Sequence, residues 1–202
     1  MRTRILLPLV AAAWLLHNVQ AGDDRSDRKK KSQQITEFSE RLKRLESGGG
    51  VTSEQKFLHE RVAELMATWR PLAAGTYTDS RIRSAIDSFL DASEELKAAR
   101  RKSQNSRSES VDGEARRKTA RMLERTYFRV KQGEYFSTQS KDPFGPEYVR
   151  LGSRLYQQAR SAYDSGMFEL ARRFAEASHE VIEGLEKLAQ AAVPIPMPPP
   201  LD

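Results

Sequence analysis

The sequence predicts an all-α protein, an antiparallel bundle of about six helices in a chain of 202 residues. Three observations lead to this fold class. Apolar residues recur at alternating steps of three and four in six segments, which is the pattern of helices with one buried face. The alternating β-branched runs that are typical of strands are absent from the sequence. Clusters of glycine, proline or serine separate the segments, so each helix can turn back along the one before it.

The first 21 residues predict a secretory signal peptide. Two arginines precede an uncharged apolar run at residues 5–16, and Val19 and Ala21 lie where a signal peptidase selects small residues. The run is 12 residues long, whereas a membrane-spanning helix needs roughly 20. We therefore expect cleavage after Ala21 and a periplasmic or extracellular mature chain without a transmembrane segment. An uncleaved N-terminal anchor is the alternative.

Two segments lie outside the predicted bundle, which spans residues 33–192. Residues 22–32 contain no apolar side chain, so nothing there is expected to be buried and a flexible leader is predicted. Residues 193–202 contain five prolines, which lack amide donors and favour an extended polyproline II conformation. Such a tail can act as a spacer or as a ligand for a groove in another protein.

Local signals set the boundaries of the predicted helices. The glycines at residues 48–50 end the first helix, and Thr52 with Gln55 forms a capping box that begins the second. A polar, serine-rich stretch at residues 103–113 predicts a loop or hinge between the two halves of the bundle. Two prolines and a glycine at residues 143–146 separate the fourth helix from the fifth. The sequence leaves open whether the two halves form one bundle or two.

Each predicted helix has a set of positions that we expect to face the core. These positions are spaced by three or four residues, with occasional longer steps. In helix order they are Ile35, Phe38, Leu42 and Leu45; Leu58, Val62, Leu65 and Trp69; Ile82, Ile86, Phe89 and Leu96; Ala115, Thr119, Met122 and Val130; Tyr148, Leu151, Leu155, Ala159 and Ala162; and Ala171, Phe174, Ser178, Val181, Leu185 and Leu188.

The last two predicted helices meet in a stretch with small residues and a turn glycine, residues 155–178. Ala159 and Ala171 stand where two helices would touch, Gly166 at the turn, and Phe168 after it. These residues resemble a tetratricopeptide helical hairpin. An alanine replaces the large aromatic residue that is usual in the second helix, and repeat arrays need three or more units. The resemblance therefore implies a single hairpin inside a bundle, and, for the family, protein–protein binding.

No recognisable catalytic motif occurs in the sequence. The chain has no cysteine and keeps two histidines after residue 21, so we expect no metal ion and no cofactor. Glu176 and His179 have the spacing of one di-iron ligand pair of ferritin-like bundles, but the matching second pair is missing. Arg173 and His179 resemble the Arg-to-His spacing of the HEPN helical ribonucleases, which is a short and common spacing. We expect no enzyme, with a hydrolase of unidentified type as the alternative.

Positive charge is concentrated in one segment. Residues 97–131 contain 12 lysines or arginines against four acidic residues, within a chain of net charge +6. Such a segment can bind anionic glycans or lipid headgroups, or it can be a solvated helix face; nucleic acid is not an expected partner of an exported chain. The candidate ligand-binding residues are Arg100, Arg101, Lys102, Lys118, Arg121, Arg125 and Arg129.

Ten of the 16 aromatic residues lie in the second half of the chain. Tyr148, Tyr163 and Phe174 stand at helix-packing positions, so we expect them in the core. The alternative is a glycan-binding platform, which would expose tyrosines such as Tyr135 and Tyr156.

The export signal, the hairpin and the absence of a catalytic motif together predict an exported, non-enzymatic helical scaffold that works through contacts with protein. The alternative is a binding module for anionic polymers or lipid headgroups that uses the basic segment at residues 97–131.

Overall fold

The computed structural model describes residues 8–47, 50–104 and 113–192, with side chains from residue 26 onward. It confirms the predicted all-α fold with six helices packed against one another, and the described part of the chain contains no strand. The helices are α1 (Pro8–Glu46), α2 (Ser53–Trp69), α3 (Tyr77–Gln104), α4 (Gly113–Gln139), α5 (Gly145–Asp164) and α6 (Phe168–Ala192). None of these described helices combines the length and apolarity that a membrane crossing requires.

Consecutive helices run antiparallel, and α6 lies at the centre against α3, α4 and α5. Side-chain contacts give the direction of the outer helices. Thr119 and Thr126 of α4 donate hydrogen bonds to the carbonyls of Phe168 and Ala175, at 3.4 Å and 3.3 Å, so α4 runs parallel to α6. One apolar cluster contains buried residues from α1, α2 and α3 as well as from α5 and α6. The two halves of the chain therefore share a core.

The core positions predicted for the second and third helices are all buried. The capping box at the start of α2 is also present, because Thr52 accepts from the Gln55 amide at 3.2 Å and the Gln55 side chain accepts from the Thr52 amide. The prediction for the fourth helix was partly right, because Ala115, Met122 and Val130 are half-buried and Met122 packs against a core cluster. Of its four positions only Thr119 is buried, and the other buried residues of α4 are Leu123, Thr126 and Gly133.

Close approach of the helices depends on small residues. Gly184 of α6 faces the ring of Phe89, and a Cβ atom there would lie 2.4 Å from a ring carbon. Phe89 in turn stacks on Tyr148 of α5 with 4.7 Å between ring centroids. On the other side of α6, Ser178 donates to the Gly152 carbonyl at 2.7 Å. At the turn between α5 and α6, Gly166 has a φ of 76°, a value that glycine adopts at little cost.

Residues 22–32 include one side chain that is buried, contrary to the expectation that nothing in this segment is. They belong to α1, and Lys31 is buried. Its ammonium group lies 2.5 Å from Asp79 and donates to the Leu72 carbonyl at 2.8 Å. The indole of Trp69 also donates to Asp79, at 2.7 Å. A lysine can be buried when its charge is paired and its protons are accepted in this way.

Three other predictions fall wholly or partly outside the described residues. These are the start of the signal peptide (residues 1–7), the central part of the hinge (residues 105–112) and the proline-rich tail (residues 193–202). Residues 8–21 lie within α1, and the ends of the predicted hinge belong to α3 and α4. Cleavage after Ala21 stays a prediction.

Candidate interaction surface on α4 and the neighbouring grooves

The seven basic candidates lie in two groups. Arg100, Arg101 and Lys102 are in the last turn and a half of α3, whereas the other four are on α4. The two groups therefore belong to different helices.

The α4 group is partly neutralised by acidic neighbours. Arg129 forms an ion pair with Glu186 of α6, and both side chains are about four-fifths buried. Lys118 lies 2.6 Å from Glu114 on the exposed surface. Arg121 and Arg125 are exposed, so they are the members of this group best placed to meet a ligand.

The C-terminal part of α3, which carries this group, contacts the end of α1 and the loop that follows it. The Arg100 guanidinium packs over Gly50, where an added Cβ would lie 2.0 Å from a guanidinium nitrogen. Lys97 donates to the carbonyls of Arg44 and Leu45, at 2.8 Å and 3.4 Å, and so caps the C-terminus of α1. Arg101 lines a hollow of about 420 Å³ between α1 and α3, together with arginines of α1 that the sequence analysis did not single out.

The outer face of α4 carries large aromatic side chains in contact with solvent. Phe128 is 60% exposed and Tyr135 is 58% exposed. Arg121, Phe128 and Tyr135 follow one another at seven-residue intervals, so they lie along one side of the helix. We call these three residues the outer face of α4. Tyr135 was named in the sequence analysis as a tyrosine that a binding platform would expose; Phe128 was missed, because its partners in space are not visible in sequence.

Beside the outer face, α4 and α5 enclose an aromatic groove of about 410 Å³. Tyr127 lies 5.9 Å from Tyr156 and 5.6 Å from Phe128, measured between ring centroids. Tyr163 also lines the groove. We call these four residues, with Leu123 and Arg160, the aromatic groove. Tyr156 and Tyr163 are each partly buried.

The three aromatic residues expected in the core are not equally buried, and one of them, Tyr163, also lines the aromatic groove. Tyr148 is fully buried. Phe174 and Tyr163 are partly buried and pack against core residues. The aromatic cluster of the sequence therefore divides into core side chains and surface side chains.

On the opposite side of α4, an acidic groove of about 430 Å³ lies between α3, α4 and α6. Its charged lining consists of five carboxylates, two arginines and a histidine: Asp91, Glu94, Glu95, Arg125, Arg172, Glu176, His179 and Glu180. Burial, with the nearby carboxylates of Glu183 and Asp91, raises the pKa of Glu180 to about 7. Burial also raises the pKa of Glu176, although Arg172 opposes this.

Both residues of the Glu176–His179 match line the acidic groove, whereas only His179 of the Arg173–His179 match does. Arg173 forms ion pairs with Glu95 and Glu169, both within 3 Å, and it does not line the acidic groove. His179 lines the groove, lies 3.5 Å from Glu183, and has a pKa lowered first by burial and then by Arg129. Among the described residues no group of three His, Asp or Glu side chains is arranged to hold a metal ion. The hydrolase alternative stays open, since a carboxyl group with a pKa near neutrality can act as a general acid.

No protein-family model, curated protein or solved structure matches this chain.

Proposed function

We propose that this chain is an exported, non-enzymatic helical scaffold that binds another protein through the outer face of α4. The observation that carries the proposal is the exposure of Phe128 and Tyr135, at 60% and 58%, on a helix whose opposite side packs against α5 and α6. Aromatic residues and arginine are enriched at the centres of protein interfaces, where a few of them supply most of the binding free energy.

Helix α4 is suited to this role because the bundle holds it without using its outer face. Its buried residues Thr119, Leu123, Thr126 and Gly133 face α5 and α6. The outer residues can therefore change without loss of core packing. Export is proposed from the signal sequence alone.

The test is a comparison of the mature chain with a double variant, Phe128→Ser with Tyr135→Ser. Each protein is immobilised and exposed to an envelope extract of the producing cell, and captured proteins are quantified. The matched control is Val51→Ser, which removes another exposed apolar side chain, 38% exposed, from the loop before α2. A protein captured by the wild type is then purified, and its affinity for the wild type, the double variant and the control is measured.

We expect the purified partner to bind the double variant about tenfold or more weakly, because truncating anchoring aromatics costs this much at interfaces, and to bind the control as it binds the wild type. Equal affinity for the double variant and the wild type would refute the proposal. Export is tested by fractionation and N-terminal sequencing. A native chain that starts at Met1 in the cytosol would contradict it.

A second candidate is the binding of anionic glycans or lipid headgroups. The observation that favours it is the exposure of Arg121 and Arg125 on α4. Retention of the mature chain on heparin or on anionic vesicles should then fall steeply between low and physiological salt. Replacing Lys118, Arg121, Arg125 and Arg129 by glutamine should abolish retention. Retention that is absent, or that survives these changes, rules out this candidate.

A further inference from the structure

We propose that the aromatic groove binds the proline-rich segment of a second copy of this chain, residues 193–200, so that the protein associates with itself. The inference rests on the proposed function, because it names a partner for the surface around α4. It uses the groove between α4 and α5 and not Tyr135 of the outer face.

The groove has the chemistry that recognises polyproline II segments. Such segments dock into grooves lined by aromatic side chains, where proline rings pack on the aromatic faces. Tyr127, Phe128, Tyr156 and Tyr163 line the groove. A polyproline II backbone makes no internal hydrogen bonds, so its carbonyls are free to accept from tyrosine hydroxyls and from the guanidinium of Arg160.

The sequence of this chain contains a segment of the matching kind. Residues 193–200 read VPIPMPPP, in which five of eight residues are proline and the others are apolar. The segment has no charged side chain, and the groove lining contains one acidic and one basic residue, Glu124 and Arg160. Binding therefore removes no net positive or negative charge from water on either partner.

The distance along α6 excludes binding of the segment to the groove of its own chain. The groove lies level with Ala175, because Thr126, adjacent to Tyr127, donates to the Ala175 carbonyl at 3.3 Å. From there α6 continues for 17 residues to Ala192, about 25 Å at 1.5 Å per residue. Pro200 follows Ala192 by eight residues, a reach of about 25 Å at 3.1 Å per residue.

A segment that returned along its own bundle as polyproline II would thus bring only its last proline level with the groove. No length remains for the reversal of direction or for the other four prolines to enter the groove. The segment of a second copy has no such restriction. If the second copy receives the first one's segment in return, the two contacts are equivalent and close a symmetric dimer.

The test is sedimentation velocity of the full mature chain over a range of concentrations. We expect association that increases with concentration and is reversed by a synthetic VPIPMPPP peptide, but not by the same peptide with serine in place of proline. A tail variant with Pro196, Pro198 and Pro199 replaced by serine should stay monomeric. The groove variant Tyr127→Ser should bind the labelled peptide about tenfold or more weakly, as expected for loss of an aromatic anchor.

The control for the groove variant is Tyr135→Ser, which changes an exposed tyrosine of the same helix outside the groove lining and should leave peptide binding unchanged. A chain that is monomeric at every concentration overturns the inference, and so does peptide binding that Tyr127→Ser leaves intact. Either result leaves the proposed function standing if Phe128→Ser with Tyr135→Ser still weakens capture of a foreign protein. The reverse pattern, peptide binding without foreign capture, refutes the proposed function alone.

Discussion

Replacing Glu180 by glutamine should stabilise the protein at alkaline pH and leave its stability almost unchanged in acid. Glu180 lies in the acidic groove, where burial and the carboxylates of Glu183 and Asp91 raise its pKa to about 7 from an ordinary value of 4.5. Because the pKa of Glu180 is higher in the folded chain than in the unfolded one, the folded chain is most stable relative to the unfolded chain below pH 4.5, where Glu180 is protonated in both. That advantage is lost as the pH rises towards 7.

The size of the effect follows from the pKa. A change of one pH unit in a pKa corresponds to about 1.4 kcal/mol, so the rise at Glu180 sets an upper limit of roughly 3 kcal/mol. The side chain is partly in contact with solvent, and screening by water reduces the effect to roughly 1–2 kcal/mol. Glutamine keeps the shape of the protonated side chain and cannot ionise, so it avoids the cost of ionisation.

The assay is urea denaturation of the wild type and the variant at about pH 4.5 and pH 8, which spans the pKa range given above. The expected gain in unfolding free energy is roughly 1–2 kcal/mol at the higher pH and near zero at the lower. Glu134→Gln, on the exposed surface of α4, is the control and should show no such dependence on pH. An equal difference between Glu180→Gln and wild type at both pH values would refute the reasoning.

Three further changes test the packing of the bundle. Lys31→Met should destabilise the chain by about 3–5 kcal/mol in urea denaturation, because it leaves the buried carboxylate of Asp79 without its cation; a loss below about 1 kcal/mol would contradict the role given to the ion pair. Gly184→Ala should cost about 1–3 kcal/mol, since its Cβ collides with an aromatic ring of α3, whereas Gly113→Ala, which meets nothing within 4 Å, should cost nothing measurable. Thr52→Ala removes the N-cap of α2 and should lower the unfolding free energy by about 1 kcal/mol, which lowers the thermal midpoint. An unchanged midpoint would show that the cap does not stabilise the helix.

Local sequence was sufficient for the helices whose faces are fully covered. The stripe from Leu58 to Trp69 and the capping box at Thr52 depend on residues a few positions apart, and both were predicted. Helix α4 was harder, because it is covered on one side only and its sequence mixes small, polar and apolar residues. Thr126 and Gly133 are buried there, although neither is apolar enough to mark a core position.

Contacts between distant parts of the chain could not be predicted from periodicity. Lys31 looked like a solvated residue because its partner Asp79 is 48 residues away. In the same way, the charge of Arg129 is balanced by Glu186, 57 residues along the chain. The acidic groove combines α3 and α6, so its carboxylates come together only after those helices pack. The candidate surface was predicted in part, through Tyr135, Tyr156 and the arginines of α4.

Lys31, which pairs with Asp79, is the first buried residue of α1 among those whose side chains the structure describes, from residue 26 onward. The expected cleavage point after Ala21 is ten residues upstream of Lys31, so removal of the signal peptide would not touch the ion pair. Truncation beyond Lys31 would remove the side chain that joins α1 to Asp79 of α3 and to the Leu72 carbonyl in the loop after α2. Cleavage at the expected point therefore leaves this contact intact.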